Sequence, residues 1–205
     1  MNEYLTFQKR MVEFIHRYID EVRILATAPN KFFHEHRDDS GFLEPTLFAG
    51  VSILLPILFY CLLTAPFTLG LSLLFVLPTM IYGVMFLFIS AIILHGLVRI
   101  IGGQDKFELT YRSIAYASMA SYSWLIPLPF VNLLLFTVLF CTILYFALRE
   151  THELNSQQTS ILLIAPAFII LLSGAILTVT SIWMVFKGIA LIASSLPGMT
   201  YSINV

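Results

Sequence analysis

The sequence predicts an all-α fold: a polytopic membrane bundle of five transmembrane helices preceded by a cytoplasmic amphipathic helix. Apolar residues make up 59% of the 205-residue chain and charged residues only 11%, whereas soluble domains are about 45–50% apolar and about 25% charged. The charges are also clustered, and charge-free stretches run over residues 45–98, 113–148 and 154–186. The net charge of −1 lacks the basic excess that nucleic acids require, so no nucleic-acid partner is predicted.

Residues 1–44 form the predicted cytoplasmic N-terminal segment. Its apolar residues recur at intervals of three and four, as in an amphipathic helix that ends at Pro29. Glu13 and Arg17 lie one turn apart and predict an ion pair. The apolar stripe is predicted to contact the membrane surface, its own bundle or a groove on a partner. Its proposed contact residues are Phe7, Met11, Phe14, Tyr18 and Val22.

Residues 45–186 form the predicted membrane domain, because one crossing needs about 20 mostly apolar residues. Spans at 46–64 and 72–99 are separated by a turn between Thr64 and Gly70, where proline and glycine break the helix. The stretch 113–148 is long for one helix and short for two. Pro127 and Pro129 favour dividing it into spans at 110–126 and 130–148. A fifth span is predicted at 159–184, and a short tail follows at 187–205.

The distribution of positive charge predicts the orientation. With five helices, every Lys and Arg except Lys187 falls on one side of the membrane. A four-helix arrangement fits slightly less well. Cytoplasmic loops carry the Lys and Arg excess, so the N-terminus is predicted in the cytoplasm and the C-terminus outside. Residues 1–10 are polar and show no signal peptide.

The third predicted helix is unusually rich in hydroxyl groups. Ser113, Ala117 and Ser121 repeat every four residues, and small residues at this spacing let helix backbones approach closely. Tyr116 and Tyr122 add two more hydroxyls. These residues are predicted to pack at the centre of the bundle. The alternative is that they line a path for a lipid or a small solute.

A polar cluster is predicted at the cytoplasmic ends of the helices. It consists of His95, Arg99, Arg112, Arg149, Glu150 and His152. Interfacial ion pairing is its simplest role, and contact with a partner or a lipid headgroup is the alternative. The sequence shows no nucleophile–base pair, carboxylate dyad or metal-ligand spacing, and residues 34–39 fit a solvated linker better than a metal site. It therefore predicts no catalytic residue, no metal and no cofactor.

The order and spacing of several motifs resemble a known family. The motifs are Pro29-x-x-Phe32-Phe33, Gly41-x-x-x-Pro45-x-x-Phe48, His95-Gly-x-x-x-x-x-Gly102-Gly103-Gln-x-x-Phe107, Thr110-Tyr-Arg112-Ser-x-Ala115-Tyr116-Ala117, Pro127-x-Pro129 and Leu148-Arg149-Glu150-x-His152. The Arg-x-x-Ala-Tyr-Ala element after the Gly-Gly turn is the most specific. Together the motifs resemble the prokaryotic branch of the Yip family, membrane proteins named for interacting with Ypt/Rab GTPases, over about residues 29–180.

The resemblance implies a five-helix membrane domain with a cytoplasmic N-terminus. Eukaryotic members act in vesicle trafficking and membrane shaping through GTPases and other family members. In this chain Gly-Phe-Leu-Glu-Pro at 41–45 replaces their Asp-Leu-Tyr-Gly-Pro element, so GTPase binding is not expected. The prokaryotic branch suggests a bacterial cytoplasmic (inner) membrane.

The expected function is a non-enzymatic scaffold that organises the membrane or binds partners. Its expected partners are membrane lipids, other membrane proteins or a second copy of the chain. The alternative is a translocator or scramblase for lipid or a small uncharged solute, acting through the third helix. A membrane enzyme is the least favoured of the three.

Overall fold

The computed structural model describes residues 2–37, 40–103 and 106–195. All regular structure within these residues is helical, as predicted. The elements are α1 (Asn2–Thr27), α2 (Pro29–Glu35), α3 (Leu43–Thr64), a 3₁₀ segment (Leu71–Phe75), α4 (Val76–Ile101), α5 (Phe107–Ala117), a second 3₁₀ segment (Ser118–Leu125), α6 (Pro129–His152) and α7 (Ser156–Ser195). The predicted tail begins inside α7, and its residues 196–205 lie outside the described residues.

Four helices in the described part of the chain are long and apolar enough to cross a membrane. They are Leu43–Thr64, Leu71–Ile101, Phe130–His152 and Ser156–Ile176. The chain is therefore a multi-pass membrane protein. The third predicted span, 110–126, coincides with α5 and the second 3₁₀ segment, which is not among the four. The count of five crossings stays a prediction.

The turns between helices lie where proline and glycine predict them. After α3, the chain turns at Gly70 with φ of 82°, and α4 ends at Gly102 with φ of 92°. Only glycine adopts this left-handed conformation without strain. Pro129 is the first residue of α6, where its missing N–H would have no helical partner.

α5 lies at the centre of the bundle. It packs between α4 and α6, and α3 lies along its remaining side. Residues 109–117 are all buried. Because these residues face protein and not hydrocarbon, their polar groups are compatible with membrane depth. This burial explains why α5 is less hydrophobic than its neighbours.

The N-terminal segment belongs to the same hydrophobic core as the membrane-capable helices. Phe32 and Phe33 of α2 are fully buried, and their ring centroids lie 4.7 and 6.2 Å from that of Tyr116 on α5. Tyr18 and Leu25 of α1 are also buried. The predicted boundary between residues 44 and 45 thus separates two segments that share one core.

Replacing Phe32 by alanine is expected to lower the free energy of unfolding by about 3–5 kcal/mol, since it removes a fully buried ring. Reversible unfolding in mild detergent measures the loss. Phe67→Ala is the matched control, because Phe67 is 87% exposed and its removal should cost little. Equal losses in the two variants would contradict the assignment of α2 to the core.

Candidate functional site

Four hydroxyl-bearing side chains from three elements meet beside Pro56 of α3. The Tyr18 hydroxyl of α1 lies 2.9 Å from Ser52 Oγ of α3 and is also hydrogen-bonded to the Tyr122 hydroxyl of the second 3₁₀ segment. Ser121 Oγ donates to the Ser52 carbonyl oxygen at 2.6 Å. We call Tyr18, Ser52, Ser121 and Tyr122 the hydroxyl cluster. It fastens the N-terminal helix to the bundle.

Pro56 explains the position of the hydroxyl cluster. Proline has no N–H, so the carbonyl four residues earlier, that of Ser52, lacks its usual helical donor. A backbone carbonyl left unsatisfied at membrane depth costs several kcal/mol. Ser121 supplies the missing donor. Ser52 and Pro56 were not among the residues predicted from the sequence, although a proline inside an apolar span with a serine four positions earlier is a usable signal.

A second polar group joins three helices through Thr110, which is fully buried. Its Oγ1 lies 3.0 Å from His95 Nδ1 of α4 and 3.0 Å from His152 Nε2 of α6. A hydroxyl has one proton, so it can donate to only one imidazole and accepts from at least one of the two. We call these three residues the His–Thr–His chain. The predicted polar cluster contains both histidines, but the threonine that links them was not singled out.

Two further members of the predicted polar cluster attach α2 to the bundle. Arg112 of α5 donates to the backbone carbonyl of His36 at 2.6 Å. Glu150 of α6 has its carboxylate 3.8 Å from His34 Nδ1. These contacts and the buried phenylalanines hold α2 against α5 and α6.

The remaining two members are arginines at helix ends. Arg149 lies over the Tyr145 ring at 5.8 Å, a cation–π contact within α6. Arg99 is exposed in the last turn of α4, where a positive charge complements the helix dipole. Among the six predicted residues, His95 and His152 are joined through Thr110, and Arg112, Arg149 and Glu150 take part in other contacts.

The predicted packing residues of the third helix lie inside the protein. Ser113, Tyr116 and Ala117 are buried in α5, and Ser121 and Tyr122 are half-buried in the 3₁₀ segment. Both serine hydroxyls donate to backbone carbonyls of this chain. These bonds favour a packing role over a solute path.

The apolar stripe predicted for α1 is divided between two environments. Tyr18 is buried against the bundle, Val22 is partly buried there, and Phe14 stacks on Tyr18 with ring centroids 6.4 Å apart. Met11 is exposed. The side chain of Phe7 lies outside the described residues. The C-terminal part of the stripe thus packs on the protein itself.

A second apolar surface on α1 faces away from the bundle. Its members are 45–57% exposed and, at 3.6 residues per turn, lie within about 100° of one another around the helix, so they share one side of α1. They are Met11, Val12, Ile15 and Ile19, and we call them the outer face. Val12 and Ile19 were not part of the predicted stripe.

Arg17 links α1 to the start of α3. Its Nη2 lies 2.6 Å from the Glu44 carboxylate, and its Nε donates to Glu21 at 3.0 Å. The structure therefore directs Arg17 toward these two carboxylates and not toward the predicted partner, Glu13. The hydrogen bond that Arg17 donates to the Glu44 carboxylate raises the pKa of Arg17. Burial raises the pKa of Glu21 despite the opposing effect of Arg17.

The helical bundle with four membrane-capable helices defines a multi-pass membrane protein. The chain belongs to the Yip1 family, since the family model described as Yip1 domain matches residues 22–178. This range contains α2 to α6 and much of α7, but the outer face of α1 precedes it. No curated protein and no solved structure matches the chain significantly. The family predicted from the motifs is confirmed.

Ser121→Ala leaves the Ser52 carbonyl without a donor, so we expect it to lower the free energy of unfolding by about 1–3 kcal/mol. Pro56→Ala returns a backbone N–H to that carbonyl. The loss caused by Ser121→Ala should therefore shrink in the Pro56→Ala background. A double-mutant cycle of detergent unfolding measures this coupling.

Ser160→Ala is the control for this cycle, because Ser160 is exposed and its hydroxyl donates to the Ser156 carbonyl of its own helix. It should cost little and show no coupling to Pro56→Ala. Additive effects of Ser121→Ala and Pro56→Ala would contradict the role assigned to the freed carbonyl.

Thr110→Val keeps the shape of the side chain but removes the hydroxyl of the His–Thr–His chain. We expect a loss of about 1–3 kcal/mol in the free energy of unfolding, because polar nitrogens lose a buried partner. Thr110→Ser keeps the hydroxyl and should recover most of the loss. Thermal unfolding in detergent compares the variants, and wild-type stability for Thr110→Val would refute the assignment.

Proposed function

We propose that this protein is a non-enzymatic integral membrane scaffold that holds α1 against its bundle and presents the outer face to another membrane protein. The observation that carries the proposal is the division of α1 into two sides. Its inner side is fixed by the hydroxyl cluster and by the Arg17–Glu44 ion pair. Its outer side carries four exposed apolar residues. A fixed helix with one free apolar face suits recognition by a groove on a partner.

Holding α1 in a fixed position strengthens the binding of a partner to its outer face. A helix that is already ordered loses less conformational entropy when a partner docks than a free segment does. Residues 1–44 thus act as the binding element in this proposal, and residues 45–186 act as its membrane anchor. The partner is either a second copy of the chain or a different membrane protein, and lipid contact alone is the competing outcome.

The path of the chain supports five crossings. Thr110 lies against His152 at the end of α6, whereas Pro129 begins α6 at its other end. Residues 111–128 therefore return along the length of α6. The 24 residues of α6 extend about 36 Å at 1.5 Å per residue, which exceeds the hydrocarbon thickness of about 30 Å.

We infer that the N-terminus lies in the cytoplasm of a bacterium, that the bundle spans the inner membrane and that the C-terminus lies outside. Two contacts support a common side for the N-terminal segment and the loops after α4 and α6. Arg37 pairs with Glu153, and Gln158 Nε2 donates to the Ile101 carbonyl at 3.1 Å. The Lys and Arg excess of these segments assigns that side to the cytoplasm.

Site-specific photo-crosslinking in native membranes tests the scaffold proposal. Probes at Ile15 and Ile19 should each yield a discrete protein adduct, identified by mass, because both face away from the bundle. A probe at buried Tyr18 should crosslink only within the chain. Ile164, exposed on the membrane-capable part of α7, is the control for lipid contact. Only lipid adducts at Ile15 and Ile19 would overturn the proposal.

A further inference from the structure

A groove of about 450 Å³ separates α1 from the first turns of α3. It is distinct from the outer face, which lies on another side of α1. Leu47 and Phe48 form part of its apolar lining. Its polar lining carries two guanidinium groups and three carboxyl groups, on Arg10, Arg17, Glu13, Glu21 and Glu44.

The groove lies where the N-terminal segment meets the first turns of α3, a helix that can cross the membrane. Leu43 and Leu47 line the groove and are exposed on the first turns of a helix that can cross the membrane. Leu55 and Phe59 continue the exposed residues of α3 at intervals of eight and four. Because four residues exceed one turn of 3.6, these residues form a stripe that winds around α3 as it runs along the helix. A molecule with its polar end in the groove can thus lay a hydrocarbon chain along α3.

Two charges in the groove remain available to a ligand. Arg17 is already engaged by Glu21 and Glu44. Arg10 and Glu13 are exposed and form no ion pair with any residue in the described part of the chain. They lie three positions apart on α1, which makes them neighbours on the helix surface. The groove therefore offers one cation and one carboxylate beside an apolar floor.

We propose that this groove binds the headgroup of a zwitterionic phospholipid. Arg10 donates hydrogen bonds to the phosphate, and Glu13 accepts from the ammonium group. One acyl chain follows the exposed leucines of α3. A purely anionic headgroup fits less well, because Glu13 and Glu44 would face it without a compensating ammonium. This site does not depend on what binds the outer face.

Lipid photolabelling of the full chain tests this site. The protein is reconstituted in vesicles of equal phosphatidylethanolamine and phosphatidylglycerol, and a trace of one lipid at a time carries a photoactivatable acyl chain. Phosphatidylethanolamine should label Leu43 and Leu47 preferentially. Arg10→Gln and Glu13→Gln should each lower that labelling about tenfold, the effect of losing one charge-assisted hydrogen bond.

Arg23→Gln and Asp20→Asn are matched controls, since both residues are exposed on α1 and do not line the groove. They should leave the labelling unchanged. Equal labelling by the two lipids would overturn the proposal, as would equal losses in the control variants or full labelling in Arg10→Gln and Glu13→Gln. The crosslinks from the outer face are read separately, so failure of this site leaves the scaffold proposal standing.

Discussion

The backbone carbonyl that Pro56 leaves open inside α3 is the constraint around which the structure is arranged. Hydrocarbon offers no hydrogen-bond donor, so the protein itself must supply one. Ser121 does so, and this requires the 3₁₀ segment to lie directly against α3. The same approach brings Tyr122 to Tyr18, and the N-terminal helix is thereby joined to the bundle. The hydrogen bonds around the Ser52 position thus join α1, α3 and the second 3₁₀ segment.

The burial of α5 meets the same requirement, that polar groups at membrane depth find partners within the protein. A helix carrying arginine, threonine, serine and tyrosine would be unfavourable against lipid. Surrounded by α3, α4 and α6, it can use those groups to join its neighbours. Thr110 bonds a histidine on each side, and Arg112 holds the end of α2. Stability and the fixed position of the N-terminal segment therefore rest on the same polar residues.

The helices that face lipid could be predicted from the sequence, because long apolar stretches bounded by charge or by Pro and Gly have few alternatives. The links between helices could not. Periodicity predicts that α1 has an apolar side, but it does not say that Tyr18 is covered while Ile15 is not. Likewise, His95 and His152 were notable as ionisable groups near the membrane. Thr110 has no such signal, since its role depends on which helices surround it.

Distance measurement between spin labels on α1 and the bundle tests the central claim, that α1 is fixed by the hydroxyl cluster. Labels at the exposed positions His16 and Lys106 would be introduced after Cys61→Ala and Cys141→Ala remove the native thiols. In lipid vesicles we expect a single narrow distance distribution between the two labels. The distribution should broaden in Tyr18→Ala, which removes the hydrogen bonds of Tyr18 to Ser52 and Tyr122. A broad distance distribution when the hydroxyl cluster is intact, with no change in Tyr18→Ala, would contradict the claim that the cluster fixes α1.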